Sequence, residues 1–551
     1  MRKMSSLSSL SATKPLSRIY NVIEPKMTQL NELINAPQPP LRLSGCKGEL
    51  FSCSFARQRL VSIPAILIVL AFTLFLSGCM VGPNYHRPEI DTPQSWRFEE
   101  KEVKDVVNTK WWEQFDDPVL NDLINIALQE NKDVKIAAAV IEEFMGRYGI
   151  TRSTLFPQVF AGASAGRDRA TEEGPSPLSS VVENPANNYQ AFLSASWEID
   201  LWGKLRRATE AARADLLSTE EARRTIILSL VTSVAGAYIN LRDLDKQLEI
   251  AKQTAKTRED SYKLFKLRFE GGVISELELN QVKSEYEAAL AAIPLLEKTI
   301  TQQENALSVL LGRNPGAIQR GRTIDDLALP GIPSGLPSEL LANRPDIRQA
   351  EQNLIAANAR IGVARAQYFP TISLTGLFGW ASTDLSDLFS GPAKTWSWAV
   401  PLAAPIFTGG AISGQVKAAE AIQQQALVRY QQVIQTAFRE TEDSLVDQRK
   451  TKEQLQTLKE QVGSLGNYAR IARLRYDNGY TSYIEVLDAE RSLFNAELTY
   501  TQTQGFLFQA LINLYKAMGG GWVTEAEQLT VQQDDERGVE KENAIKGVIK
   551  Q

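Results

Sequence analysis

The chain has 551 residues, 43% of them hydrophobic, and a formal net charge of −5, a balance with no strong field for nucleic acid to recognise, so no nucleic-acid partner is expected. Histidine occurs once, at His86, and cysteine only at Cys46, Cys53 and Cys79. That excludes a His/Cys zinc cluster, a Cys/His or Ser/His dyad and any disulfide in the body of the chain, so no metal and no enzyme activity are expected, and packing must hold the fold.

In chain order, the first informative segment is 60–76, LVSIPAILIVLAFTLFL, which follows Arg57 and Arg59 and runs directly into Leu76-Ser77-Gly78-Cys79. A basic n-region, an apolar h-region and a small-residue processing site make 57–78 a signal peptide. The apolar run is also near the ~17-residue minimum of a membrane span, but the cysteine directly after Leu-Ser-Gly resembles a bacterial lipoprotein signal. Cleavage would leave Cys79 first, carrying a diacylglycerol and an N-acyl chain, with no other cofactor. A second Leu-Ser-Gly-Cys, from Leu43 to Cys46, is preceded by PQPPLR and reads as chance. Residues 1–56 are then a non-mature extension, consistent with a mis-assigned start, and 79–130 is the lipidated N-terminal segment.

Residues 189–201 alternate apolar Tyr189, Ala191, Leu193, Ala195, Trp197, Ile199 and Leu201 with polar neighbours such as Gln190, Ser194 and Glu198. This is the period of a strand with one greasy and one wet face. A shorter, glycine-containing partner strand is expected at 155–166. From 203 to 269, positions such as Ile227, Leu230, Val234, Leu241, Leu244, Ala251, Ala255 and Phe265 repeat at 3-4 spacing, with Arg258 as the one polar exception. That is a coiled-coil seam on a helix of about 67 residues, about 100 Å long. The chain turns at Gly271-Gly272 and returns as a helix over 276–312, with Val282, Ala289, Ile300 and Leu307 in its seam and Pro294 expected to bend it. A linker rich in proline and glycine occupies 313–343.

The second half repeats the first. Asn131-Lys132-Asp133-Val134 corresponds to Arg344-Pro345-Asp346-Ile347, and Phe156-Pro157 to Phe369-Pro370, at an offset of 213; later positions, such as Gly203 and Gly410, or Glu278 and Glu485, correspond at 207. Two repeats follow, 131–312 and 344–522. The second is expected to hold strands 368–379 and 395–407 and helices 410–476 and 483–518. The tail, 523–551, is charged and poor in aromatic residues, and reads as disordered.

Four amphipathic strands can cross a bilayer, but lipid tolerates only a barrel without edges, and four strands cannot close one. Several copies must pool their strands; a trimer gives twelve. The fold class is therefore mainly α with a transmembrane β-barrel, four strands per chain, continuous with a long α-helical barrel. A soluble β-sandwich with a separate coiled coil does not explain why both helix pairs begin at strand ends.

Trp197-Glu198-Ile199-Asp200-Leu201-Trp202-Gly203, Leu155-Phe156-Pro157, Gly335-Leu336-Pro337-Ser338, Arg344-Pro345-Asp346-Ile347 and Pro405-Ile406-Phe407-Thr408-Gly409-Gly410 resemble the signature segments of the OprM branch of TolC-like outer-membrane factors, the NodT-like lipoproteins of RND-type efflux systems. Val81-Gly82-Pro83-Asn84-Tyr85 resembles the start of their mature chains, and Met80 after the lipid cysteine fits outer-membrane sorting. The resemblance covers 79–522. It implies a homotrimer, lipid-anchored in the outer membrane, with a periplasmic helical barrel. Its implied partners are a periplasmic adaptor (membrane fusion protein), an inner-membrane RND-type pump and outer-membrane lipid. The implied function is a passive exit duct for drugs or toxic compounds. A type I protein-secretion channel is the nearest alternative; a periplasmic adaptor, with one hairpin and no paired strands, is further off.

Two groups of site residues follow. The turns holding Gly271, Gly272, Ser275, Asn478, Gly479 and Ser482 read as helix connections, and the resemblance makes them the tips that dock the adaptor. Glu485 and Asp488 share one helical face just after the second turn. The helix dipole alone favours acids there by roughly 0.3–1 kcal/mol each. With Tyr476 and Ile484 they align with constriction positions of TolC-like proteins, although Thr481 stands where TolC has arginine. The resemblance thus implies an apolar Ile484 ring and acidic rings in a cation-preferring gate.

Overall fold

The structure is a computed structural model that describes residues 80–93, 95–97, 110–171, 173, 183–331, 337–519, 522–524 and 526–528. Cys79, the signal peptide 57–78 and the extension 1–56 lie outside the described residues. The protein is mainly helical. After a 3-10 turn at Trp111–Phe115 come α1 (Pro118–Glu130), α2 (Lys132–Ser153), β1 (Gln158–Asp168), β2 (Ala186–Ile199), α3 (Lys204–Glu270) and α4 (Glu276–Leu310). Then follow α5 (Pro337–Asn343), α6 (Pro345–Ala366), β3 (Thr371–Ser382), β4 (Lys394–Ala399), β5 (Leu402–Ala403), α7 (Ala411–Asp477) and α8 (Tyr483–Met518). The helix α4 runs through Pro294 as one element.

The strands form one antiparallel sheet in the order β1-β2-β3-β4, with β5 also pairing β3. Its register aligns Ala161, Leu193, Phe378 and Trp396 in one cross-strand row. The next row on that face holds Val159, Ala195, Gly376 and Trp398. Val159, Leu193, Phe378, Trp396 and Trp398 remain exposed, so this face offers lipid-sized apolar side chains with nothing in the chain to cover them. Both outer edges, β1 and β4, are open within one chain.

Several strand boundaries differ from the sequence reading. The strands expected at 155–166 and 368–379 begin at Gln158 and Thr371, because the preceding residues still belong to helix exits. Leu155 donates its N–H to Arg152 (3.1 Å) and Phe369 donates its to Ala366 (3.1 Å). The proline that follows each phenylalanine closes the helix, since a residue before proline is pushed out of the α region. The strand expected at 395–407 is cut after Ala399 by Pro401, which has no N–H to give the ladder, and Ile406 and Phe407 lie beyond it, almost fully exposed. The tail expected from 523 is packed at its start: Val523 and Ala526 are buried beside Trp522, and Glu527 pairs with Arg224 at 3.0 Å.

The main core explains that anchoring. Trp111, Trp112 and Phe115 meet Ile227 to Leu244 of α3, Phe508, Ile512 and Tyr515 of α8, and Trp522. Trp111 stacks on Tyr515 with centroids 5.0 Å apart, and Trp112 meets Trp522 edge-on at 5.6 Å. The apolar middle of α3 is long enough to cross a membrane by composition, yet most of it is packed here. Part of the 313–343 linker lies along α3, where Arg320 reaches Asp245 (3.0 Å) and Arg242 donates to the Arg322 carbonyl (2.8 Å).

Candidate functional site at the helical turns

Both long hairpins close in the same way. At the first, Gly272 sits at φ +71°, its N–H donates to the Phe269 carbonyl, and Val273 donates to Arg268. At the second, Gly479 sits at φ +76°, with Gly479 donating to Tyr476 and Tyr480 to Arg475. These are paired helix-ending bonds around a left-handed residue, a conformation that favours glycine. A side chain on Gly272 or Gly479 would meet nothing, so both turns present open backbone. Ser275 caps α4, accepting from the Glu278 N–H while Glu278 accepts from the Ser275 N–H (2.9 Å). Ser482 begins α8 without a side-chain cap bond.

Behind the turns, Phe265 of α3, Val282 of α4, Ala472 of α7 and Tyr483, Val486 and Ala489 of α8 form a buried cluster. Phe265 lies 4.2 Å from the Tyr483 ring. Tyr476 belongs to this cluster, and its hydroxyl accepts from Arg268 at 2.7 Å. The other three constriction candidates are elsewhere. Ile484, Glu485 and Asp488 line a groove between α4 and α8, shared with Gln281 and Ser284, and Ile484 is 57% exposed. Tyr476 therefore joins the hairpins, while Ile484, Glu485 and Asp488 share an open face.

Each acid of that face has a basic neighbour within the chain. Glu485 accepts from Thr481 and lies 3.5 Å from Arg475; Asp488 lies 2.8 Å from Arg491. The i, i+3 spacing of Asp488 and Arg491 was legible in the sequence; the Arg475 contact needs the turn geometry.

A second set of charges was not anticipated. Arg258, the polar exception in the α3 seam, is buried, donates to the Glu285 carbonyl at 2.7 Å and pairs with its carboxylate at 3.0 Å. Across the hairpins, Arg473 of α7 lies 3.7 Å from Glu490 of α8 and donates to the Tyr483 hydroxyl at 3.2 Å. One charged residue from each long helix thus meets beside the aromatic cluster. Burial raises the Glu490 carboxyl above its ordinary value, against the pull of Arg473 and Arg258 and with the help of Glu285. Further along, α3 and α8 part around a cleft of about 540 Å³ whose lining includes Arg258, Glu490, Phe494 and Glu497.

Paired long hairpins joined at their turns and rising directly into an edge-open amphipathic sheet define the subunit of a membrane duct. Residues 123–313 and 336–520 match the Outer membrane efflux protein family. The chain is 36% identical to the probable efflux pump outer membrane protein TtgC of Pseudomonas putida over 476 residues, 85% of this chain and 98% of that protein. It is 35% identical to the cation efflux system protein CusC of Escherichia coli over 465 residues, 83% of this chain and 99% of that one. The crystal structure of the Campylobacter jejuni CmeC outer membrane channel superposes with a TM-score of 0.78 at 28% identity, covering 82% of this chain and 99% of that one. The chain belongs to the outer membrane efflux protein family. It is an outer-membrane exit duct of a tripartite efflux system, with a periplasmic helical part.

Proposed function

We propose that three copies of this chain close a twelve-stranded barrel continuous with a periplasmic helical barrel, through which small toxic molecules leave passively. The observation that carries this reading is the four-position sheet with two bare edges, each half of which runs into a 67-residue helix. A membrane accepts such a sheet only when other copies satisfy its edges. The equal lengths of α3 and α7 and the two separate family matches support an internal two-fold repeat. Membership of the efflux protein family supports a conduit and not an enzyme. A diacylglycerol and N-acyl chain on Cys79 would anchor the chain in the outer membrane.

The turns at Gly271, Gly272, Ser275 and at Asn478, Gly479, Ser482 dock a periplasmic adaptor, which links the duct to an inner-membrane RND-type pump. Ile484, Glu485 and Asp488 form the constriction, with Tyr476 holding the second hairpin to the first. The relatives' names range from a probable efflux pump protein to a cation efflux protein, which supports a duct whose cargo is chosen by its pump. Native mass measurement of the detergent-purified protein should give three chains, and a planar bilayer should show ion conductance. Cysteine at Gly272 or Gly479 should crosslink to the adaptor. A monomeric, non-conducting protein would overturn the reading.

A further inference from the structure

The cleft of about 540 Å³ between α3 and α8 falls within the size range of sites that take drug-sized molecules, roughly 300–1,000 Å³. Its walls are of two kinds. Ile250 of α3 and Leu493, Phe494 and Tyr500 of α8 bring apolar side chains that are only half-buried. Around them stand charged groups whose pairing is uneven. At one end, Lys246 lies 3.2 Å from Glu249 and 3.2 Å from Asp325 of the 313–343 linker. At the other, Arg258 is held by Glu285 at 3.0 Å, and Glu490 has Arg473 at 3.7 Å.

Glu497 is left between these ends. It is half-buried and makes no hydrogen bond and no ion pair among the described residues. Burial raises its carboxyl above the ordinary value, and the Lys246 charge offsets only part of that. A carboxylate drawn partly out of water with no partner is unfavourable where it stands. Packing does not require it either. At the repeat offset of 207, Glu497 corresponds to Leu290 of α4, while the neighbouring Ala496 corresponds to an identical Ala289. The helix position accepts an apolar side chain, so the acid at 497 answers to something other than the fold.

We propose that this cleft binds an organic monocation of drug size, its charged nitrogen on the Glu497 carboxylate and its apolar body along Leu493 and Phe494. The Phe494 ring suits a cation, since the Arg258 guanidinium already lies 5.5 Å from its centroid. A bare metal ion is not matched. Among the described residues no three His, Cys, Asp or Glu side chains are grouped to hold one, and a hard divalent cation such as calcium takes about six to eight oxygen ligands. The two walls belong to different hairpins, α3 to the first and α8 to the second. A bound cation therefore ties one hairpin to the other, above the aromatic cluster that joins them at the turns. All of its contacts lie within one chain, so the site is independent of how many copies close the duct.

The test uses the full-length protein in nanodiscs of zwitterionic lipid, dialysed to equilibrium against proflavine, a planar aromatic monocation at neutral pH. Acridine, its uncharged counterpart, and protein-free nanodiscs serve as references. The wild type should bind proflavine saturably and about tenfold more tightly than acridine, the scale of one hydrogen bond to a charged group. Glu497→Gln should lose that factor for proflavine and leave acridine unchanged. Glu497→Leu, which installs the residue of the other repeat, should lose it too, while the thermal midpoint of the ligand-free protein stays at or above that of the wild type. Glu453→Gln, on the exposed face of α7, should change neither probe. Absence of saturable binding by the wild type, or equal proflavine binding by wild type and Glu497→Gln, would overturn the site. A lowered midpoint in Glu497→Leu would make the acid a part of the fold and overturn it as well. None of these outcomes alters the native mass or the conductance by which the duct itself is judged.

Discussion

The two hairpin turns carry a serine and a glutamate at matching positions and connect them differently. At the first, Ser275 and Glu278 exchange hydrogen bonds and close a capping box at the start of α4. At the second, Ser482 makes no side-chain cap, and Glu485 turns instead to Thr481 and Arg475. The glycine-centred exits of α3 and α7 are the same. The bend is the same at both turns, while one polar pair is connected differently. The first turn is closed on itself; the second holds its acid through contacts outside the cap, on the side where Ile484 and Asp488 lie.

The strongest way to break that comparison is to remove what joins the two turns. Phe265 is fully buried and packs on Tyr483 and Tyr476 of the other hairpin. Phe265→Ala should cost about 3–5 kcal/mol through lost burial and the cavity left behind, read as a lowered thermal midpoint. The same change at Phe269, 38% exposed, should fall within about 0.5 kcal/mol. Equal losses would mean the cluster is not the joint.

A smaller change tests the turns themselves. Ser275→Ala deletes a real cap and should destabilise the first turn of α4 by about 1 kcal/mol. Ser482→Ala deletes a hydroxyl with no cap bond and should cost at most a few tenths. Hydrogen exchange of the first-turn amides of α4 and α8 measures both. Comparable losses at the two serines would show that the turns are capped alike in solution.

Much of this asymmetry was out of reach of the sequence. The long helices were legible because 3-4 spacing persists over many turns, and Gly272 and Gly479 marked their ends. The helices α2 and α6 were missed, and no element was assigned to either stretch: α2 exposes Ile136 and Ile150 and shows no clean apolar stripe in one chain. The anchoring of Trp522, Val523 and Ala526 was hidden for another reason: the run is too short to stand out from a charged tail. Within the site, the i, i+3 acids were visible. Their separation from Tyr476 was not, because it depends on how the two hairpins cross, and so does the meeting of Arg258, Glu285, Arg473 and Glu490 from four helices.

The acidic face can be sharpened next. Glu485→Ala with Asp488→Ala should reduce the cation preference of the conducting channel, and Ile484→Ala should raise its conductance. Because Arg475 and Arg491 partly neutralise these acids, Arg475→Gln should increase cation preference. The Arg475–Glu485 pair is half exposed, so its effect on stability should stay below about 1 kcal/mol. Bilayer reversal potentials distinguish these outcomes. Wild-type behaviour in all three variants would move the constriction elsewhere.

The smallest effect concerns pH and the inner charges. Glu490 is faced by Arg258 and Ser261 from α3, Glu285 from α4, Arg473 from α7 and Tyr483 of its own helix. Burial raises its carboxyl above the ordinary glutamate value of 4.5, and the two arginines only partly offset this. The packed hairpins therefore hold the Glu490 proton more tightly than an exposed glutamate does. By linkage, packing strengthens as pH falls through the raised value and weakens as pH rises above it. Burial keeps the Tyr483 hydroxyl neutral by pushing it upward. Exchange of the amides around Val486 and Ala489 should accordingly slow, beyond its intrinsic pH dependence, as pH drops from neutral toward 4.5. Glu490→Gln is neutral at every pH and should flatten that response, while leaving exchange around Trp111 and Tyr515 in the distant core unchanged. A Glu490→Gln protein with the wild-type slope would assign the pH response to another group, with Glu285 the next carboxylate to replace.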